Sequence, residues 1–431
     1  MDTQALIAAD KAHSWHPFTQ MQDWCAPGNE PLVLVSGDGA ILRDSEGREY
    51  IDGNSSIWTN IHGHRHPKIN AAIREQLDRV AHVSFLGTTN EPATRLSERF
   101  VALFPAGTLE RVFYSDNGST AIEVALKMSL QYWQLVDRPE KRRFIAFDNA
   151  YHGDTTGAAS LGGVSTFTNR FAAINFPAQH IANIEGLAAL EDQADQIAGI
   201  VIEPLVQGAA GIRLWPAGML KELRAWCDRH RVHLIFDEVL TGFGRTGKMF
   251  ACQHEDVLPD FLCLAKALTG GYLPLAATLT TAGIYKAFLG DYAELKTFFY
   301  GHSYCGNPLG CAAALASLDV FEEEKVLANL TPKIALLSEL LAELKSHPNV
   351  RDIRQCGFIA GIEVGRANGE AYPWEQQAGI RICQGAKAHG LLTRPVLNTI
   401  VLMPPFCITE EELRRAVDAL RAAIDAVVVQ G

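Results

Sequence analysis

Between residues 111 and 264 short apolar runs that stop at turns alternate with stretches of helical periodicity. The runs are RVFYS, RFIAF, GIVIE, HLIF and FLCLA, and the helical stretches include 120–133 and 219–230. Near-continuous apolar runs suit strands buried on both faces, and alternation with helices suits crossover connections. The pattern therefore predicts an α/β fold with a mainly parallel sheet covered by helices. Ligands of such sheets sit beyond the carboxyl ends of the strands, so the residues that end these runs are the first candidates for chemistry.

The flanks read differently. Pro67 is suited to a first helical turn, and Ile69, Ile73, Leu77 and Val80 follow at helical spacing; a second helix is expected over 92–104. Beyond residue 320 a Lys/Glu/Leu-rich helix precedes short strands near 358–364 and 400–403. In the last helix Thr409 and Glu412 have capping-box spacing, and Leu413, Val417, Leu420 and Ile424 share one face. A chain of 431 residues exceeds one ordinary core. The expected division is a large domain over 61–325 and a smaller α+β domain over 326–431, completed by an N-terminal segment, 1–60.

The formal charge of −11 and the lack of any basic run argue against a nucleic-acid partner. No apolar stretch reaches bilayer-spanning length, so no membrane partner is expected. The nine cysteines are odd in number and never spaced as C-x-x-C, which suits reduced thiols. The first residues lack the apolar core of a secretory signal. A cytoplasmic enzyme is the expectation.

Four places carry the candidate chemistry. HLIFDEVLTG ends its apolar run at Asp237, a carboxylate that burial would neutralise unless a cation faces it. PDFLCLAKALTGG ends the next run at Lys266, where a buried ammonium is costly unless it is consumed as an imine or tuned as a base. An acid and an amine on successive strand ends suit pyridoxal 5'-phosphate, which needs a Schiff-base lysine and an acid partner for its pyridine nitrogen. In RVFYSDNGSTAIEVALK, Gly118 and Ser119 fall at a helix start, where free amides and the helix dipole favour a phosphate. In NAYHGDT, Tyr151 follows the strand RFIAF and can stack on the pyridine face.

Each feature alone has a plainer reading: a helix cap for Asp237, a solvated amine for Lys266, an ordinary turn at Gly118–Ser119 and a core ring for Tyr151. Their joint occurrence, each behind a strand, favours the cofactor. Two rivals fail on detail. GFGRTGK, residues 242–248, resembles a nucleotide-binding phosphate loop, but Met249 stands where the magnesium-binding hydroxyl belongs. His62, His64 and His66 could share a strand face and bind zinc, but Gly63 and Pro67 make the segment a loop entering a helix, and no metal is expected.

The runs YHGDT, IEPLVQGAAG, DEVLTGFGRTGKMFACQHE, LAKALTGGYLPLAAT and GHSYCGNPLGCAAAL resemble, in that order, the class III aminotransferases of fold type I. Within them HSWHPFTQM, DGNSSIWTNIHGHRHP, LLTRP and LMPPF resemble the branch that aminates 7-keto-8-aminopelargonate in biotin biosynthesis. The resemblance implies a pyridoxal-phosphate homodimer with shared active sites that takes a small-molecule keto acid and an amino donor. Lys266 would be the Schiff-base lysine, Asp237 the pyridinium partner, Tyr151 the ring on one face and Val239 the packing on the other. Gly118 and Ser119 would hold the phosphate, joined by Ser303 of the second subunit. Phe18, Trp58, Gly301 and Arg394 would shape the substrate pocket, Arg394 by pairing a carboxylate. Glu203 and Gln207 would lie near the cofactor. Phe18, Ile57 and His302–Ser303 depart from most of that branch, which leaves S-adenosylmethionine and lysine open as donors. Another omega-aminotransferase, acting on ornithine, a gamma-amino acid or a diamine, is the alternative.

Overall fold

The five apolar runs become strands of a single seven-stranded sheet in the computed structural model, which describes residues 1–428. In spatial order the strands are Leu109–Ser115, Ala276–Thr281, Phe261–Leu264, His233–Asp237, Ile197–Ile202, Arg143–Phe147 and Gln179–Ile181. All neighbours are parallel except around Ala276–Thr281, which runs antiparallel to both of its partners. The three inner strands Ile197–Ile202, His233–Asp237 and Phe261–Leu264 are buried at every residue. That is why their sequences show no polar alternation.

The helix Gly118–Leu135 packs across the strands Phe261–Leu264 and Ala276–Thr281, burying Ala121, Ile122 and Ala125 in the core. Its start is set by Asn117, whose side chain accepts from the Thr120 amide at 3.1 Å. Pro67–Arg79 and Glu91–Ala102 pack on the helix Pro308–Glu323, as the periodicity of 67–80 and 92–104 anticipates.

An N-terminal segment and a C-terminal one share a sheet. Leu34–Asp38, Ile41–Asp44 and Glu49–Asp52 form an antiparallel sheet, and Leu391–Leu392 from the far end adds to it, parallel to Glu49–Asp52. Val350–Cys356, Ile359–Val364, Thr399–Leu402 and Pro395–Val396 form a second small sheet. The last helix, Glu410–Val428, is capped as expected: Thr409 Oγ1 accepts from the Glu412 amide at 3.1 Å, and Glu412 accepts from the Thr409 amide at 2.8 Å. Leu413, Val417, Leu420 and Ile424 are buried along one face of it.

At the amino edge of the main sheet Lys141 is only 1% exposed. It donates to the carbonyls of Ala194, Ile197 and His230 at 3.1, 3.1 and 3.3 Å, and its Nζ lies 4.9 Å from the centroid of the Trp133 ring. Burial pushes its pKa down to about 8. Among the described residues no helix is long and apolar enough to cross a membrane.

Candidate active site

Asp237 is the last residue of its strand, in register with Cys263 on the parallel neighbour, and Lys266 follows three residues beyond Cys263. Adjacent parallel strands thus carry both groups to the carboxyl edge of the sheet. Lys266 adopts φ 43°, the left-handed region that a residue with a Cβ occupies only under strain, and Trp58 does the same at φ 68°. The Lys266 Nζ lies 4.6 Å from the centroid of the Trp58 ring. Burial pushes the lysine pKa down to about 8, against the pull of Asp237 and Glu203, and the charge of Arg245 lowers it further.

Asp237 is held on both oxygens. Oδ1 accepts from the Val239 amide at 3.1 Å and Oδ2 lies 2.7 Å from Nδ1 of His152. A carboxylate oxygen accepts, so the histidine nitrogen is the donor. Burial by itself would depress the His152 pKa, but the hydrogen bond to Asp237 and the charges of Asp237 and Glu203 outweigh it and raise it. Glu203 is pushed up to about 7 by burial; His152 opposes this, the charge of Asp237 adds to it, and the amides of Gly208 at 3.0 Å and Tyr151 at 3.1 Å oppose it.

The helix beginning at Gly118 points its first amides at the same space. Asn117 satisfies the Thr120 amide, while those of Gly118 and Ser119 lie ahead of the first intrahelical bond. A Cβ on Gly118 would lie 2.7 Å from Cγ1 of Val239, so only glycine lets these two segments meet. Ser119 Oγ accepts from the Asp154 amide at 3.1 Å. Tyr151 donates its hydroxyl to Asp154 at 2.7 Å and packs edge-to-face on Phe167, with centroids 5.9 Å apart.

Trp58, Gly118, Ser119, Tyr151, Glu203, Asp237, Val239 and Lys266 border one cavity of about 440 Å³, and His152 borders it with them. The remaining expected residues lie outside its lining. Gln207 is buried and donates to the Asp148 carbonyl at 2.9 Å. Phe18, 65% exposed, reaches the site through Phe167, whose ring is 5.5 Å away. Arg394 is exposed and makes no ion pair among the described residues. Gly301 and Ser303 are exposed as well, and the Ser303 carbonyl accepts from His82 at 2.9 Å.

His152 is the residue that sequence reasoning underused. Its neighbour Tyr151 drew attention as an aromatic at a strand end, but the carboxylate that gives the imidazole its role lies 85 positions away. The two rival motifs resolve structurally. Arg245 of the 242–248 loop is fully buried and donates to the carbonyls of Met403 and Pro404 at 3.3 and 2.8 Å, so the loop is packed into the core. His62, His64 and His66 turn to three separate partners, Ser317, Asp52 and Glu324, at 2.9, 2.9 and 3.0 Å.

A fold of this order, with an acid and a lysine on adjacent strand ends and a helix start facing them, defines a pyridoxal-phosphate-dependent transferase class. The family described as aminotransferase class-III matches residues 25–424, and the chain belongs to it. The chain is 48% identical to the adenosylmethionine-8-amino-7-oxononanoate aminotransferase of Geobacter sulfurreducens, covering 99% of this chain and 98% of the relative. It is 50% identical to the protein of the same name from Nitratidesulfovibrio vulgaris, covering 100% of this chain and 83% of that one. The crystal structure of such an enzyme from Methanocaldococcus jannaschii superposes with a TM-score of 0.96 at 40% identity, over 99% of both chains. The class III family is pyridoxal-phosphate-dependent, and this chain is an aminotransferase of that family.

Proposed function

We propose that the chain transfers an amino group to 8-amino-7-oxononanoate, the keto acid also called 7-keto-8-aminopelargonate, giving 7,8-diaminopelargonate for biotin synthesis. The donor is S-adenosylmethionine or lysine. The names of the relatives support the acceptor, and one observation carries the chemistry: Lys266 and Asp237 lie at the ends of adjacent parallel strands and border the same cavity as the Gly118–Ser119 helix start.

The residues present fit pyridoxal 5'-phosphate. A glycine cradle and free helix-start amides suit its phosphate, a partly neutral amine suits its aldehyde, and a carboxylate locked by His152 suits a protonated pyridine nitrogen. Bound there, the cofactor supplies an electron sink for the carbon that gains or loses the amine. Lys266 would hold it covalently, and its freed amine would move a proton to and from that carbon as base and then acid. Asp237 would hold the proton on the ring nitrogen, and His152, donating to Oδ2, orients the Asp237 carboxylate. Tyr151 and Val239 would pack the two ring faces, Gly118 and Ser119 would hold the phosphate with Ser303 of a second copy, and Glu203 supports the Tyr151 loop. Phe18, Trp58, Gly301 and Arg394 select the substrate, Arg394 by pairing its carboxylate. Segment 1–60 with 326–431 forms the small domain and 61–325 the large one, a division supported by the pairing of Leu391–Leu392 with Glu49–Asp52.

The test is spectroscopic and then catalytic. Purified protein should show a visible absorption band that borohydride removes, and Lys266→Ala should lose both the band's covalent fixation and turnover while keeping its fold. Incubation of the keto acid with S-adenosylmethionine, with lysine and with neither should give diamine in one donor arm, with parallel double-reciprocal lines. Colourless protein that takes up no cofactor, or turnover only with ornithine, gamma-amino acids or other diamines, would overturn the proposal.

A further inference from the structure

The loop from Tyr151 to Gly157 is tied down at four points. Three of its partners border the cavity: Glu203 takes the Tyr151 amide, Asp237 the His152 ring and Ser119 the Asp154 amide. The fourth is Glu123, one helical turn after Ser119 on the same face of the helix Gly118–Leu135 and outside the cavity lining. Its Oε1 accepts from the Gly157 amide at 2.6 Å and its Oε2 from Lys127 Nζ at 2.8 Å. One helix face therefore offers two acceptors, a turn apart, to two amides three residues apart on the loop.

The contact is built tightly. A Cβ on Gly157 would lie 2.5 Å from both carboxylate oxygens, so any larger residue there would have to push the Glu123 carboxylate aside. Glu123 is itself buried, and Lys127, whose Nζ also sits 4.3 Å from the centroid of the Tyr300 ring, keeps it charged in that position. A charge-assisted bond of this kind is about twice as strong as a neutral one.

We propose that Glu123 is a positioning residue: by fixing Gly157 it sets where Tyr151 stands relative to the Gly118 and Ser119 amides, and so the fit of the cofactor ring and phosphate. This rests on the cofactor reading above. Glu123 lies outside the cavity lining and acts through the loop.

A double-mutant cycle on the full-length protein tests it. Glu123→Ala should weaken pyridoxal phosphate binding to the apoprotein by about tenfold, the scale of one lost charged hydrogen bond. It should also change the circular dichroism of the bound cofactor, raise KM for the keto acid more than it lowers kcat, and lose exchange protection at the Gly157 amide. Gly157→Ala, which pushes the carboxylate away, should reproduce these effects, and the double variant should be no worse than either single one. Glu123→Gln keeps a carbonyl acceptor and should hold cofactor affinity within about threefold of wild type, which also guards against a misfolded alanine variant. Additive losses in the double variant, or unchanged affinity and dichroism in Glu123→Ala, would overturn the proposal. The same cycle read by thermal melting of the apoprotein decides the contact even if wild type takes up no cofactor, an outcome that would count against the cofactor reading alone.

Discussion

Lys266 combines a strained backbone, a burial-depressed pKa of about 8 and an aromatic face against its Nζ. Only the free amine attacks an aldehyde, and below its pKa the amine fraction rises about tenfold per pH unit. The rate of covalent cofactor uptake by the apoprotein should therefore climb with pH and level off near pH 8. Stopped-flow absorbance across pH 6 to 10 reads this, and a rate still climbing at pH 10 would mean an ordinary lysine. Asp237 and His152 make a second pair. Asp237→Asn should lower kcat by several orders of magnitude, because an amide cannot hold the ring proton. His152→Asn should cost about ten- to a hundredfold, as for other residues that orient a functional group. If the two variants were equal in effect, the histidine would be doing more than orienting the acid.

Elements explain why these side chains meet. The start of the helix Gly118–Leu135 lies against Val239, two residues past Asp237, so the phosphate corner and the acid corner are set by one close approach. Gly118→Ala should weaken pyridoxal phosphate binding markedly while leaving the secondary structure intact; titration of the apoprotein alongside far-ultraviolet dichroism separates the two. Much of this was legible in the chain. The inner strands were apolar without interruption, the helix 219–230 had clear periodicity, and Thr409 and Glu412 announced their cap. The strand Ala276–Thr281 was not, because AATLTT is short and small-sided, and one of its two partners, the strand at 109–115, is remote in the sequence. Gly118, Ser119, Asp237 and Lys266 were readable as strand-end and helix-start residues. The His152 contact and the tie between Glu123 and Gly157 were not, since each joins separate segments that only the fold brings together.

At the scale of the whole molecule the exposed segment carrying Gly301 and Ser303 is flanked by exposed Phe299 and Tyr304, the kind of apolar surface a second copy covers. Sedimentation should find a dimer. If Ser303 serves the neighbouring site, Lys266→Ala and Ser303→Asp, each defective alone, should complement when refolded together, since hybrids regain one intact site and a random mixture about a quarter of wild-type activity. No recovery would place Ser303 in its own subunit's site. The main sheet also bears on chemical selectivity. Lys141 and Lys266 sit at opposite rims with similarly weakened basicity. Lys141 spends its three protons on backbone carbonyls in closed packing, whereas Lys266 opens onto a chamber. An electrophile offered sparingly thus distinguishes two amines that a titration curve would not, and reach rather than proton affinity decides which one is labelled.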